Sequence, residues 1–254
     1  MLSRIFRLAA ALVAATLLLT PPALAAEGLT PAQKKAVEAT IEEYLLANPE
    51  VIVHALQRMQ DRDKAAQENQ VMGFLNKNAD SVRNDANSYI GGNPDGDVTV
   101  VEFFDYRCGY CKKFHPVMEE LLETDKNLRV VYKEFPILGP DSLLASQAAI
   151  AALLQDRKLY MPFHNALMEA RGNLTRDRIL DIAEESGLDI DRLKDNLEAG
   201  KVKDVIAENY RLGQNLGITG TPGFVVGDTI IPGYINIEQM RRLIAEARTG
   251  CKTC

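Results

Sequence analysis

The chain has 254 residues, 46% of them apolar, with 29 basic against 35 acidic side chains and a formal charge of −6. This acidic balance gives no electrostatic ground for nucleic acid or an anionic lipid surface as a partner. Four cysteines are too few for a disulfide-rich scaffold, so each pair needs its own account.

The N-terminus carries Arg4 and Arg7, then an apolar run, LAAALVAATLLL (8–19), then Pro21-Pro22 and the small-residue stretch Ala23-Leu24-Ala25. That order predicts a cleavable signal peptide over residues 1–25. The run is too short to span a bilayer, which takes about 20 apolar residues. Cleavage removes two arginines and no acid, taking the formal charge from −6 to −8. The expected destination is the periplasm, where thiols tend to pair.

Residues 26–87 are predicted to be helical. Val37, Ile41, Tyr44 and Leu45 recur at helical spacing, and Asn48-Pro49-Glu50 ends one helix and starts another. Beyond a polar stretch, QDRDKAAQENQ (60–70), Met72, Leu75, Ala79, Val82 and Ala86 form a narrow seam. Such a seam docks on the chain's own globular part or pairs with the same segment of other copies. The second use predicts a homo-oligomer, dimer or trimer, through residues 27–87.

GGNPDGD (91–97) is dense in turn formers and marks a boundary. The catalytic domain is expected over 88–254. VTVVEFF (98–104) reads as a buried strand, 108–123 as a helix, and LRVVYKEF (128–135) as a second strand, together a β-α-β unit. Several short helices follow, an insertion over about 140–216. GFVV (223–226) and TII (229–231) flank the turn Gly227-Asp228, and a last helix starts near Asn236. The expected layering is α/β, a mixed sheet with helices on both faces.

Cys108-Gly109-Tyr110-Cys111 sits where the first strand gives way to a helix. Free N–H groups at a helix mouth favour a thiolate, and Arg107, Lys112 and Lys113 add positive charge nearby. Cys108 is therefore the expected exposed nucleophile and Cys111 the buried resolving thiol. Two other readings stand beside this one. Cys108, Cys111 and His115 supply three zinc ligands, with Cys251 or Cys254 as a fourth. A purely structural disulfide is the other. Haem attachment is excluded, because Lys112 and not His follows Cys111.

A second motif is GITGTPGFVV (217–226), where Pro222 leads into a strand. Proline is disfavoured inside sheets, and a cis bond accounts for it here. A trans turn proline is the alternative.

VVEFFDYRCGYCKKF (100–114) together with GITGTPGFVV resembles the DsbA-like thiol–disulfide oxidoreductases. The resemblance implies a thioredoxin fold with an inserted helical domain. It implies Cys108 as nucleophile, Cys111 as resolving thiol and Pro222 as the cis-proline beside them. It implies that Thr221, with Gly109 and Tyr110, meets the substrate backbone. It also implies Glu102 as a buried carboxylate that relays protons to Cys111. The residue-level alternative for Glu102 is an ion pair with Lys133.

YLLANPEVIVHALQRMQ (44–60) is similar to the N-terminal segment of the suppressor-of-copper-sensitivity protein C group of that family. That likeness implies a disulfide isomerase or reductase acting on misoxidised or unfolded secreted proteins. It implies a membrane reductant of the suppressor-of-copper-sensitivity B or DsbD type, and a link to copper tolerance. A DsbA-like oxidase is the alternative. No cofactor is expected for thiol exchange. A rival reading, copper(I) binding, rests on the terminal Cys251 and Cys254. That pair also reads as a small ring disulfide or a relay pair.

Overall fold

The computed structural model describes residues 28–250, and the chain divides between Asp63 and Lys64 into two compact units. The expected signal peptide and the Cys251–Cys254 pair lie outside the described residues.

In the first unit, α1 (Pro31–Ala47) opens with a capping box, Thr30 and Gln33 each satisfying the other's backbone N–H. The helix α2 (Glu50–Lys77) includes the polar stretch 60–70. Val37, Ile41, Tyr44, Ile52, Leu56 and Met59 are all exposed. An apolar set of this size on a short helical segment has no core of its own to enter.

The second unit is built on a five-stranded sheet in the order β1-β3-β2-β4-β5. Its strands are β1 (Tyr89–Gly92), β2 (Val98–Phe104), β3 (Leu128–Glu134), β4 (Gly223–Val226) and β5 (Thr229–Ile231). Only β2 and β3 run parallel, joined through α4 (Gly109–Thr124). The β4–β5 hairpin turns at Gly227, whose φ of +54° suits a residue without a Cβ. β1 was not legible as a strand. Its sequence, Tyr-Ile-Gly-Gly, ends in turn formers, and pairing with β3 holds it in place.

The helical insertion comprises α5 (Pro140–Gln155), α6 (Arg157–Glu169), α7 (Arg176–Glu185), α8 (Ile190–Glu198) and α9 (Gly200–Asn215). α10 (Ile237–Thr249) closes the unit, with its own capping box at Asn236 and Gln239. Among the described residues no helix is long and apolar enough to cross a membrane.

Alternation along the strands builds two cores. Val100, Phe104, Val130, Tyr132 and Phe224 point to the face that carries Cys108 and Cys111. Val101, Phe103, Val131, Phe135 and Val225 point to the other face. Leu75 and Val82 are fully buried on that second face. The seam expected to pair with other copies, Met72 to Ala86, therefore docks on its own domain instead, through Leu75 and Val82 with Met72 packed beside them. It also accounts for a unit boundary at Asp63–Lys64 rather than at 87–88. Three cations fasten α3 (Ala79–Arg83) and the segment that follows it. Lys133 Nζ reaches Asp85 Oδ2 at 2.6 Å and the Ser81 carbonyl at 2.9 Å. Arg129 donates to the Arg83 carbonyl, and Arg157 to the carbonyls of Ala86 and Ser88.

Candidate active site

Cys108 is the N-cap of α4 and Cys111 lies in its first turn, so the pair straddles the mouth of the helix. Both are free thiols. The Thr221–Pro222 peptide bond is cis, and the Cys108 thiol donates to the Thr221 carbonyl at 3.1 Å. Four elements thus meet at one sulfur: the end of β2, the start of α4, the loop before β4, and the side chain of Cys111.

Cys108 is less exposed than expected, at 8%, because the Thr221 loop lies against it. Cys111 is fully buried. Gly109 opens α4 with open space around it, and Tyr110 is exposed, its ring 5.4 Å from that of Tyr234. Tyr234 escaped the sequence reading, since nothing near it in the chain points to the thiols.

The two thiols are driven apart in acidity. Cys108 is pulled down to about 5. The largest cause is the hydrogen bond from Cys111. Partial burial opposes it, while the Thr221 side chain and the backbone amides of Cys111 and Tyr110 add to it. Cys111 is pushed far above the ordinary thiol range by burial, by its bond to Cys108 and by the charge of Glu102. One thiol is therefore ionised at neutral pH and the other holds its proton.

The expected cationic contribution is not what holds the Cys108 anion. Lys112 Nζ is spent on the carbonyls of Leu167, Met168 and Ala170, at 3.0, 2.8 and 2.9 Å, where it caps the end of α6. Arg107 reaches the Leu138 carbonyl, and Lys113 lies over the Tyr234 ring. The dipoles of the helix mouth and the neighbouring thiol do the work instead.

Glu102 is nearly buried on β2, and burial raises its carboxyl to about 8. It does not pair with Lys133, which is bound to Asp85. In the parallel register Glu102 faces Tyr132, so Lys133, one residue on, points to the opposite side of the sheet. Glu102 is left on the cysteine face, close enough for its charge to act on Cys111. His115 is a packing residue, 7% exposed, its ring 5.4 Å from that of His164. No group of three or more metal-ligating side chains occurs among the described residues.

Asp105, Tyr106 and Glu134 also escaped the sequence reading. Asp105 is buried and accepts from the amides of Arg107 and Leu138 at 2.8 and 3.0 Å, fixing the loop ahead of Cys108. Tyr106 and Glu134 belong to a buried polar cluster behind the same loop. The available signal was a glutamate inside the apolar run LRVVYKEF, since an acid in a buried strand needs partners.

Residues 99–245 match the DSBA-like thioredoxin domain, and residues 33–66 match the copper resistance protein ScsC N-terminal domain. A solved thioredoxin-like oxidoreductase from Silicibacter pomeroyi DSS-3 is 44% identical, covering 68% of this chain and 98% of that one, with a TM-score of 0.65. Proteus mirabilis ScsC, crystallised in a transitional conformation, is 32% identical over 88% of this chain and 99% of that one, with a TM-score of 0.65. Among curated proteins, Na(+)/H(+) antiporter NhaA 1 of Salinispora arenicola is 31% identical over 166 residues, 65% of this chain. The match spans only 25% of that protein's own length. With more than half of its length in the first of these matches, the chain belongs to the DSBA-like thioredoxin family and carries a ScsC N-terminal domain ahead of its catalytic fold.

Proposed function

We propose that this protein is a periplasmic thiol–disulfide oxidoreductase, working on protein disulfides as an oligomeric isomerase or reductase. The observation that carries the reading is the split between the two thiols, with Cys108 drawn down to about 5 and Cys111 pushed far up. The Cys108 thiolate attacks one sulfur of a substrate disulfide. The substrate S–S bond breaks, a mixed disulfide forms, and the departing substrate sulfur takes a proton. A second substrate thiolate then attacks the mixed disulfide and frees Cys108, which completes an isomerisation with no net redox change. Alternatively the ionised fraction of Glu102 takes the Cys111 proton, and Cys111 attacks the Cys108 sulfur of the mixed disulfide. The bond to the substrate breaks, the substrate leaves as a thiol, and the enzyme is left with a Cys108–Cys111 disulfide. Pro222 and Thr221 border the sulfur, where the Thr221 backbone and the Gly109–Tyr110 pair meet an extended substrate strand.

Turnover as an isomerase needs a donor that keeps the pair reduced, a membrane thiol reductase of the suppressor-of-copper-sensitivity B or DsbD type. The exposed apolar residues of α1 and α2 support self-association, which places several reactive thiols around one client and raises effective concentration. The copper resistance named in the description of the N-terminal domain supports a role in copper tolerance. A second reading, a disulfide oxidase, is favoured by the same low Cys108 value, because a good leaving thiolate makes its own disulfide easy to reduce. Copper(I) at Cys251 and Cys254 is a further role the sequence allows.

Refolding of scrambled ribonuclease tests the choice. We expect reduced full-length protein to restore ribonuclease activity, and the protein lacking residues 28–63 to do so several-fold more slowly. Equal rates for the two forms remove the oligomeric isomerase. Faster oxidation of fully reduced ribonuclease than rescue of the scrambled form establishes the oxidase.

A further inference from the structure

Behind the Cys108 loop lies a buried polar cluster that the thiol chemistry does not use directly. Glu134 Oε1 accepts from the hydroxyls of Tyr106 and Tyr160 at 3.0 and 2.8 Å. The Tyr106 oxygen also lies 3.0 Å from His164 Nδ1. Tyr106 has one proton and gives it to Glu134, so His164 Nδ1–H is the donor in that contact. The Glu134 backbone carbonyl accepts from Asn209 Nδ2 at 3.0 Å. Glu134 Oε2 and the Ser146 hydroxyl are buried next to each other, outside strict hydrogen-bond geometry but near enough for Ser146 to favour the ionised carboxyl. All six side chains are almost or wholly buried.

The placement matters more than the count. Glu134 ends β3, and Tyr160 and His164 lie on α6, Ser146 on α5 and Asn209 on α9. Tyr106 alone comes from the loop that carries the reactive cysteine, two residues before Cys108. That loop is the turn closed by Cys108 N–H to the Asp105 carbonyl at 3.0 Å. One carboxylate oxygen therefore ties the reactive loop to the helical insertion. A core filled for packing alone needs no acid there, because burying a carboxyl costs several kcal/mol unless its bonds return the loss.

We propose that Glu134 is a positioning residue for thiol exchange: through Tyr106 it holds the 105–108 loop against the helical insertion, and so sets how the Cys108 sulfur meets the amides at the mouth of α4. The inference rests on reading Cys108 and Cys111 as the exchange centre. Loosening the anchor leaves the cysteines in place but lets the loop drift from those amides, which weakens the anion without removing it.

The test compares Tyr106→Phe, Glu134→Leu and Glu134→Gln in the full chain. Tyr106→Phe removes both hydroxyl bonds and keeps the ring. Glu134→Gln keeps an oxygen that accepts from both tyrosines and changes the charge little near neutral pH, because burial raises the Glu134 carboxyl to about 8. The readouts are the Cys108 thiolate titration by ultraviolet absorbance and the reduction potential against glutathione. Far-ultraviolet circular dichroism checks the fold. We expect Tyr106→Phe to raise the Cys108 value by about half a unit or more, roughly a threefold loss of thiolate at a pH below the midpoint. Glu134→Leu should do the same where it folds, and Glu134→Gln should restore most of the effect. A folded Tyr106→Phe protein that titrates and equilibrates like the parent overturns the inference and leaves the proposed function standing. A parent protein with Cys108 near 8.5, the free-cysteine value, overturns the function itself.

Discussion

Glu102 and Lys133 sit on adjacent strands and never meet: Glu102 faces the cysteines, and Lys133 faces the opposite core, where Asp85 holds it at 2.6 Å. A one-residue offset between parallel strands decides this, because successive side chains leave opposite faces of a sheet. The consequence is a buried carboxyl without a cation, raised to about 8 by burial.

That carboxyl makes stability depend on pH. Its folded value lies above the ordinary 4.5. The stabilising contribution is therefore complete below pH 4.5 and is lost as pH rises toward 8. Glu102→Gln should flatten this loss, so that the variant's thermal midpoint exceeds the parent's at pH 8 by more than at pH 5. The same variant should resolve a mixed disulfide several-fold more slowly, since Cys111 loses its proton acceptor. Chemical unfolding at a series of pH values and stopped-flow release of a bound thiol check the two halves.

Cys111 is the largest influence on the acidity of Cys108. Replacing it with alanine should raise the Cys108 value from about 5 by at least a unit, which is tenfold in the ionisation constant. Cys108→Ala should remove the ionisation near pH 5. Absorbance titration of the reduced proteins measures both.

The pair of Lys133 and Asp85 is a buried clamp, with Lys133 wholly shielded from solvent. Asp85→Ala removes the counter-charge and should cost about 3 kcal/mol or more, since a buried ammonium is left uncompensated. Lys133→Met with Asp85→Ala should recover part of that loss. Urea unfolding followed by circular dichroism gives the comparison. A single mutant as stable as the parent would sink the clamp.

The two halves of the N-terminal apolar pattern should respond differently. Leu75→Ala empties a fully buried site and should destabilise the catalytic unit by about 2–4 kcal/mol. Leu56→Ala and Ile41→Ala alter exposed positions and should leave that unit's unfolding midpoint almost unchanged. On the proposed function they lower the oligomeric mass instead. Light scattering with size-exclusion chromatography, beside thermal unfolding, separates the two effects.

Much of the site was legible because its signals are local. Pro222 stood out as a proline leading a strand, Cys108 as a cysteine at a strand-to-helix junction, and Asn236 with Gln239 as a paired cap. Each depends on neighbours a few residues away. Tyr106, Glu134 and His164 were not legible, because their contacts span 28 to 58 residues. The cationic share assigned to Arg107, Lys112 and Lys113 was wrong for a related reason. Nearness in the chain says nothing of where a long side chain ends, and Lys112 ends on the carbonyls of α6.

The sequence by itself determined the periods: alternation that makes β2 and β3 strands, three-and-four spacing that makes helices, and a reactive pair at the seam between them. Tertiary structure alone decided which face of the sheet each polar residue entered, that Leu75 and Val82 docked at home, and that β1 formed at all. The physical reason is range. Backbone preference and periodicity act over a turn or a strand, whereas burial, charge pairing and strand register are settled by residues that only folding brings together.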